Sequence, residues 1–225
     1  FLLNADATII VNGSIDVLGA DFGATYGNTA SAGISTNLTG VATVIVNDDV
    51  TANGSQTAGI QSNSLGTAIS VNSGTVSASG SGAAGIALGS FFDEYLRIDA
   101  DGIFRNATST VSVSLGATVS SAQYIGILDE SGGIVPYVTD DDGVITPLTQ
   151  PTENSTTLEI AGTVSGGGGF AAFDLGSGSD RIILHELASI NGDMLLGSGD
   201  DIFTYMGFVE NRQIDGGADR DAIEV

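Results

Sequence analysis

Three aspartates near the C-terminus stand in the same local phrase. Asp180 follows Gly176-Ser-Gly-Ser, Asp201 follows Gly197-Ser-Gly-Asp, and Asp221 follows Gly217-Ala-Asp-Arg, with Asp219 in place of the second glycine. Each runs on into apolar residues, as in Arg181-Ile182-Ile183-Leu184. A carboxylate beside a glycine turn can do one of two things. It can help to coordinate a hard cation such as calcium, which takes about six to eight oxygens. Or it can accept a hydrogen bond from the backbone of its own turn. The spacing bears on the choice: Gly176 to Gly197 is 21 residues and Gly197 to Gly217 is 20. One such turn per unit predicts that Asp180, Asp201 and Asp221 stack at a single corner of a repeating structure. There their mutual repulsion would be relieved by calcium, or screened by water and salt along an exposed edge.

Other chemistries find less support. The glycine run Gly166–Gly169 is not followed by Lys-Ser/Thr, and the chain has no lysine, so a phosphate loop is not expected. The one histidine, His185, has no Gly-x-Ser-x-Gly partner and reads as a surface or corner residue. A glycoside hydrolase needs paired carboxylates. The candidates are Asp93 with Glu94, Asp99 with Asp101, and Asp140 to Asp142, all of which read equally well as solvated turn residues. The chain is therefore expected not to be an enzyme. Aromatic residues gather in one stretch, Phe91, Phe92, Tyr95 and Phe104. Phe91, Phe92 and Tyr95, with Tyr137 further on, are the candidate contacts for a protein or glycan.

The elements that must position these residues are strands. Gly is frequent at 33 residues and Pro rare at 3, and no stretch keeps helical apolar spacing. Three segments align from Val11, Val46 and Val71, each ending in Ala-Gly-Ile, with Ile34, Ile60 and Ile86 spaced 26 residues apart. Fainter copies end at Ile127 and Phe173. A period of this size indicates a β-solenoid, in which one circuit cannot bury its own apolar face and stacking must do so. The form predicted is a right-handed single-stranded parallel β-helix of about seven coils, a single domain over residues 1–225, roughly 30 to 35 Å long. Two stretches break the rhythm and read as insertions, 89–106 and 128–156. The second holds Ile134–Thr139 and Val144–Thr149 around Asp-Asp-Asp-Gly, a hairpin signature.

Charge narrows the partners. Twenty-seven acidic residues against five Arg give a formal net charge of -22. Such a chain is repelled by nucleic acid and by anionic membrane surfaces. There are no cysteines, which excludes a disulfide framework.

One LGSG-Asp turn per unit, after Val/Asn/Gly-rich units and "TVSGGGG", resembles the passenger domain of bacterial autotransporters; the turns themselves resemble the calcium nonapeptides of repeats-in-toxin proteins. The resemblance implies a fragment of a longer chain, exported through a C-terminal outer-membrane barrel to the surface of a Gram-negative cell. It implies an extracellular structural and adhesive stalk. Its partners would be a host or neighbouring-cell surface protein or glycan, and possible copies of itself. No nucleic acid, no membrane insertion of this part and no required cofactor are expected, with calcium an accessory at Asp180, Asp201 and Asp221. The rival readings are a self-assembling filament or surface-layer component and a carbohydrate-active β-helix enzyme.

Overall fold

The computed structural model describes residues 6–18, 32–36, 38, 40–64, 66–89, 108–129, 137–139, 145–147, 155–206 and 213–224. Strands recur in threes, and outside the antiparallel hairpin each pairs in parallel with the corresponding strands of the neighbouring layers. The first sheet has eight strands: Ala7–Val11, Val41–Val46, Gly66–Val71, Thr108–Val113, Ser155–Ile160, Arg181–Leu184, Ile202–Tyr205 and Ala222–Glu224. The second has six: Ile15–Leu18, Val50–Asn53, Thr75–Ser79, Thr118–Ser121, Thr163–Ser165 and Ser189–Asn191. The third has seven: Ala32–Thr36, Ala58–Ser62, Ala84–Leu88, Ile127–Asp129, Phe173–Asp174, Met194–Leu195 and Ile214–Asp215. No helix occurs among the described residues, so none there is long and apolar enough to cross a membrane. This all-β arrangement of three long parallel sheets is that of a parallel β-solenoid.

Alternation explains why these strands form. On the first sheet Val44, Ile69, Val111, Leu158, Ile182 and Phe203 occupy one register row and are buried, while the residues between them face out. The second sheet contributes Val50, Val76, Val119 and Val164, and the third Ile60, Ile86, Ile127, Phe173 and Met194. All of these belong to one core cluster. Like stacks on like because neighbouring layers lie about 4.8 Å apart and a row of equal side chains fills that spacing without voids. Asn12, Asn47 and Asn72 extend the same logic outside the core. Each amide donates to the one below, at 2.8 and 3.0 Å.

The repeat read from sequence has its register here. Ile34 pairs with Ile60 and Ile60 with Ile86, then Ile86 with Ile127 and Ile127 with Phe173. The glycine before each of the four isoleucines has a steric reason, whereas Phe173 follows Ala172. A Cβ on Gly59 would lie 2.7 Å from the carbonyl oxygen of Gly85, and one on Gly85 2.7 Å from that of Gly126. At Gly59 and Gly85 the corner into the third sheet therefore brings successive backbones too close for a side chain.

The hairpin expected in the second insertion is present. Tyr137–Thr139 pairs antiparallel with Ile145–Pro147, Tyr137 opposite Pro147. Residues 90–106 of the first insertion lie outside the described residues, and with them Phe91, Phe92, Asp93, Glu94, Tyr95, Asp99, Asp101 and Phe104. Asp140 to Asp142 lie outside them as well.

Candidate functional site

The glycine phrases do form one corner. Ser177 bridges Ser198 and Ser198 bridges Ala218, all in parallel, so the turns make a short ladder of their own. Gly176, Gly197 and Gly217 take φ of 74°, 103° and 80°, a region that favours glycine. Asp219, standing where the other phrases have glycine, takes φ of 84° and is one of the few non-glycine residues there. Aspartate tolerates this conformation better than most residues.

Asp180, Asp201 and Asp221 stack as their spacing predicts, but not on an exposed edge. Asp180 is 2% exposed and Asp201 is fully buried; only Asp221 is open to solvent. Nor do they bond their own turns. The Oδ1 of Asp180 accepts the backbone N–H of Thr156 at 2.7 Å, that of Asp201 accepts the N–H of Asp180 at 2.8 Å, and that of Asp221 accepts the N–H of Asp201 at 3.3 Å. Each carboxylate thus caps the amide that opens the preceding first-sheet strand. The bonds run between layers because each Asp immediately precedes its strand and points into the corner between the third and first sheets.

The aspartates are the upper part of a longer buried polar row. Thr67 pairs with Ser109 and Ser109 with Thr156, and the next two places in the same register are Asp180 and Asp201. All five are buried. In the lower layers hydroxyls satisfy one another: Thr36 donates to Ser62 at 2.8 Å, and Ser62 and Thr67 share a bond of 2.7 Å. Thr156 joins the two halves, its amide on Asp180 and its hydroxyl on Asp129 at 2.5 Å. Asp129 occupies the register position of Leu88 and is itself buried. The hydroxyl half of the row carries no glycine phrase, so motif reading passed over it. The signal was there in alignment: "TAISV", "STVSV", "TTLEI" and "DRIIL" start on the same column.

Burial sets the chemistry of the row. The Oδ2 atoms of Asp180 and Asp201 are buried and have no hydrogen-bond partner. Desolvation pushes the Asp180 carboxyl up to about 8, aided by the charges of Asp201 and Asp129 and opposed by the Thr156 amide. Asp201 is pushed up to about 6, again chiefly by desolvation, with the Asp180 amide opposing and Asp221, Asp200 and Asp219 adding repulsion. A proton on the orphaned oxygen satisfies both demands, removing the buried charge and the repulsion. Calcium fits less well. The Oδ1 atoms are already committed to backbone amides, which leaves the Oδ2 atoms of Asp180, Asp201 and Asp221 against a requirement of about six to eight oxygens. Among the described residues no group of three or more acidic, His or Cys side chains is placed to hold a metal ion.

The remaining candidates are elsewhere. His185 lies at a corner after the Arg181–Leu184 strand and bonds Glu159 at 2.9 Å, with both side chains partly exposed. Tyr137 opens the hairpin, away from the Asp row in sequence and in sheet. The structure therefore brings the three aspartates together, while Phe91, Phe92 and Tyr95 lie outside the described residues. No protein-family model matches the chain, and comparison with curated proteins and with solved structures finds no match.

Proposed function

We propose that this chain is the stalk of a bacterial surface protein, an autotransporter-type passenger that holds adhesive surfaces away from the cell. On this reading the solenoid is a right-handed parallel β-helix of about seven coils, and it works by extended contact with a protein or glycan of another cell rather than by turnover. The observation that carries it is the unbroken register of the first sheet from Ala7 to Glu224. Layers locked in register around one core make a stiff rod, and its flat outward faces repeat along the axis. Acidity supports the same reading, since a net charge of -22 keeps neighbouring rods apart on a crowded surface.

The test is display. The chain, fused ahead of an outer-membrane barrel and expressed in a Gram-negative host, should become accessible to antibody and protease on intact cells. Those cells should attach to cultured host cells or to one another better than cells carrying the barrel alone. A chain retained in the periplasm, or displayed cells that attach no better than the control, would overturn the proposal.

A further inference from the structure

Three asparagines in the chain are followed by glycine: Asn12-Gly13, Asn53-Gly54 and Asn191-Gly192. Each pair carries a latent reaction. The backbone nitrogen of the glycine can attack the side-chain carbonyl carbon, Cγ, of the asparagine. A glycine, with no side chain and a permissive backbone, leaves that approach most open. The fold treats the three pairs differently.

Two of them are held. The Gly54 amide donates to the Ser79 carbonyl at 2.8 Å. The Asn53 side chain accepts the Ser79 hydroxyl on Oδ1 at 2.5 Å and donates to Asp16 at 3.4 Å. Asn191 ends the strand Ser189–Asn191 in register with Ser165, and its carbonyl accepts the Gly166 amide at 2.9 Å. Gly192 is wedged in place: a Cβ on it would lie 2.5 Å from the Ala172 nitrogen and 2.8 Å from the Phe170 oxygen.

Asn12-Gly13 is open. It lies in the exposed turn between the strands Ala7–Val11 and Ile15–Leu18. Nothing stands within 4 Å of where a Cβ on Gly13 would be. Among the described residues no hydrogen bond holds the Gly13 amide, so the nucleophile is uncommitted. The electrophile is activated instead. Oδ1 of Asn12 accepts Nδ2 of Asn47 at 2.8 Å, and Asn47 is itself oriented by Asn72, whose Nδ2 donates to its Oδ1 at 3.0 Å. A donor aimed at a carbonyl oxygen stabilises the negative charge that gathers there when the carbon is attacked.

We propose that Asn12 is a site of self-modification, where the folded chain converts asparagine to aspartate and isoaspartate faster than at its other two Asn-Gly pairs. The Gly13 nitrogen forms a bond to Cγ of Asn12. The bond from Cγ to Nδ2 breaks, and the side-chain nitrogen leaves as ammonia with the proton of the Gly13 amide. Water then opens the five-membered imide. Attack at Cγ gives aspartate; attack at the backbone carbonyl gives isoaspartate, with the main chain running through the side chain. No oxidant or cofactor is needed, and water is the one co-reactant. Each event places a carboxylate at the foot of the Asn12–Asn47–Asn72 ladder, in the layer at the edge of the first and second sheets. The inference is independent of the stalk reading.

The test incubates the folded 225-residue chain in mildly alkaline buffer and follows each site by peptide mass mapping, with enzymatic methylation to count isoaspartate. Asn12 should convert at least about tenfold faster than Asn53 and Asn191, and the three rates should converge in urea, where no near-attack geometry is held or denied. Asn47→Asp keeps the shape of the donor but removes its N–H. It should slow Asn12 by about tenfold, less than the ~10² to 10³ of a buried oxyanion donor because the turn is wet. Asn47→Leu removes the same N–H without adding charge and gives a second reading. Gly13→Ala has open space for its methyl and should slow the reaction while leaving the melting temperature unchanged. Melting curves identify any variant that fails to fold. Equal rates at the three sites of the folded chain, no conversion at Asn12, or an Asn12 rate indifferent to the Asn47 and Gly13 substitutions would overturn the inference.

Discussion

The two oxygens of the Asp180 carboxyl have opposite surroundings. Oδ1 accepts the Thr156 amide, while Oδ2 is buried without a partner. An ionised carboxylate so placed is costly, so the folded chain holds its proton up to about 8 instead of the ordinary 3.8. The folded state thus binds this proton more tightly than the unfolded state. Stability from the row is full below pH 4 and is lost as pH rises towards 8, with Asp201 contributing to the lower part of that window, up to about 6. Asp180→Asn mimics the protonated group. It should remove much of the slope of melting temperature between about pH 5 and 8 and stabilise the chain at pH 8 by on the order of 3 kcal/mol, after about 2 kcal/mol is set against an amide N–H left unpaired. Equal slopes in the two proteins, or a variant weaker at pH 8, would show that no buried proton is held there. Spacing alone made the stacking of Asp180, Asp201 and Asp221 legible. Their burial was not legible, because it depends on which way the residue before each strand turns at the corner, and sequence spacing is the same for either direction.

At the scale of the element, the corner into the third sheet shows how a repeat becomes a constraint. The spacing of Ile34, Ile60 and Ile86 gave the register directly, since equal intervals place equal residues in one row. The glycine beside each was visible as a pattern, but its reason, a carbonyl from the next layer in the space of a Cβ, emerges only when the layers are stacked. Gly85→Ala tests it. The new methyl would lie 2.7 Å from the Gly126 oxygen and 2.8 Å from that of Ser120, both backbone atoms with little room to move. The expected cost is about 1 to 3 kcal/mol, as for overpacking elsewhere. Ser77→Ala, on the outward face of the neighbouring sheet, should stay within about 0.5 kcal/mol. Urea midpoints for the two variants decide it, and equal midpoints would mean that the corner yields. The antiparallel hairpin of the insertion was legible for a different reason: its two strand-like runs flank a turn rich in Asp and Gly.

The charge of the whole molecule and the Asp row meet in one experiment. A formal net charge of -22 on 225 residues makes the folded state repel itself. Raising sodium chloride from about 10 mM to about 150 mM shortens the Debye length from about 30 Å to about 8 Å, so the melting temperature should rise. Divalent cations should raise it further by the same screening. Calcium and magnesium screen alike but differ in the sites they accept, because calcium tolerates about six to eight oxygens in irregular geometry and magnesium demands a near-ideal octahedron. With the Oδ2 atoms of Asp180, Asp201 and Asp221 as the uncommitted oxygens of the stack, screening is the effect expected of both ions. Melting temperatures at pH 8 in equal concentrations of the two chlorides should therefore agree, in the native chain and in Asp201→Asn alike. A calcium-specific rise that Asp201→Asn abolishes would mean that cations, not protons, neutralise the row. The corner would then be a metal column whose missing oxygens come from the carbonyls of the stacked glycine turns.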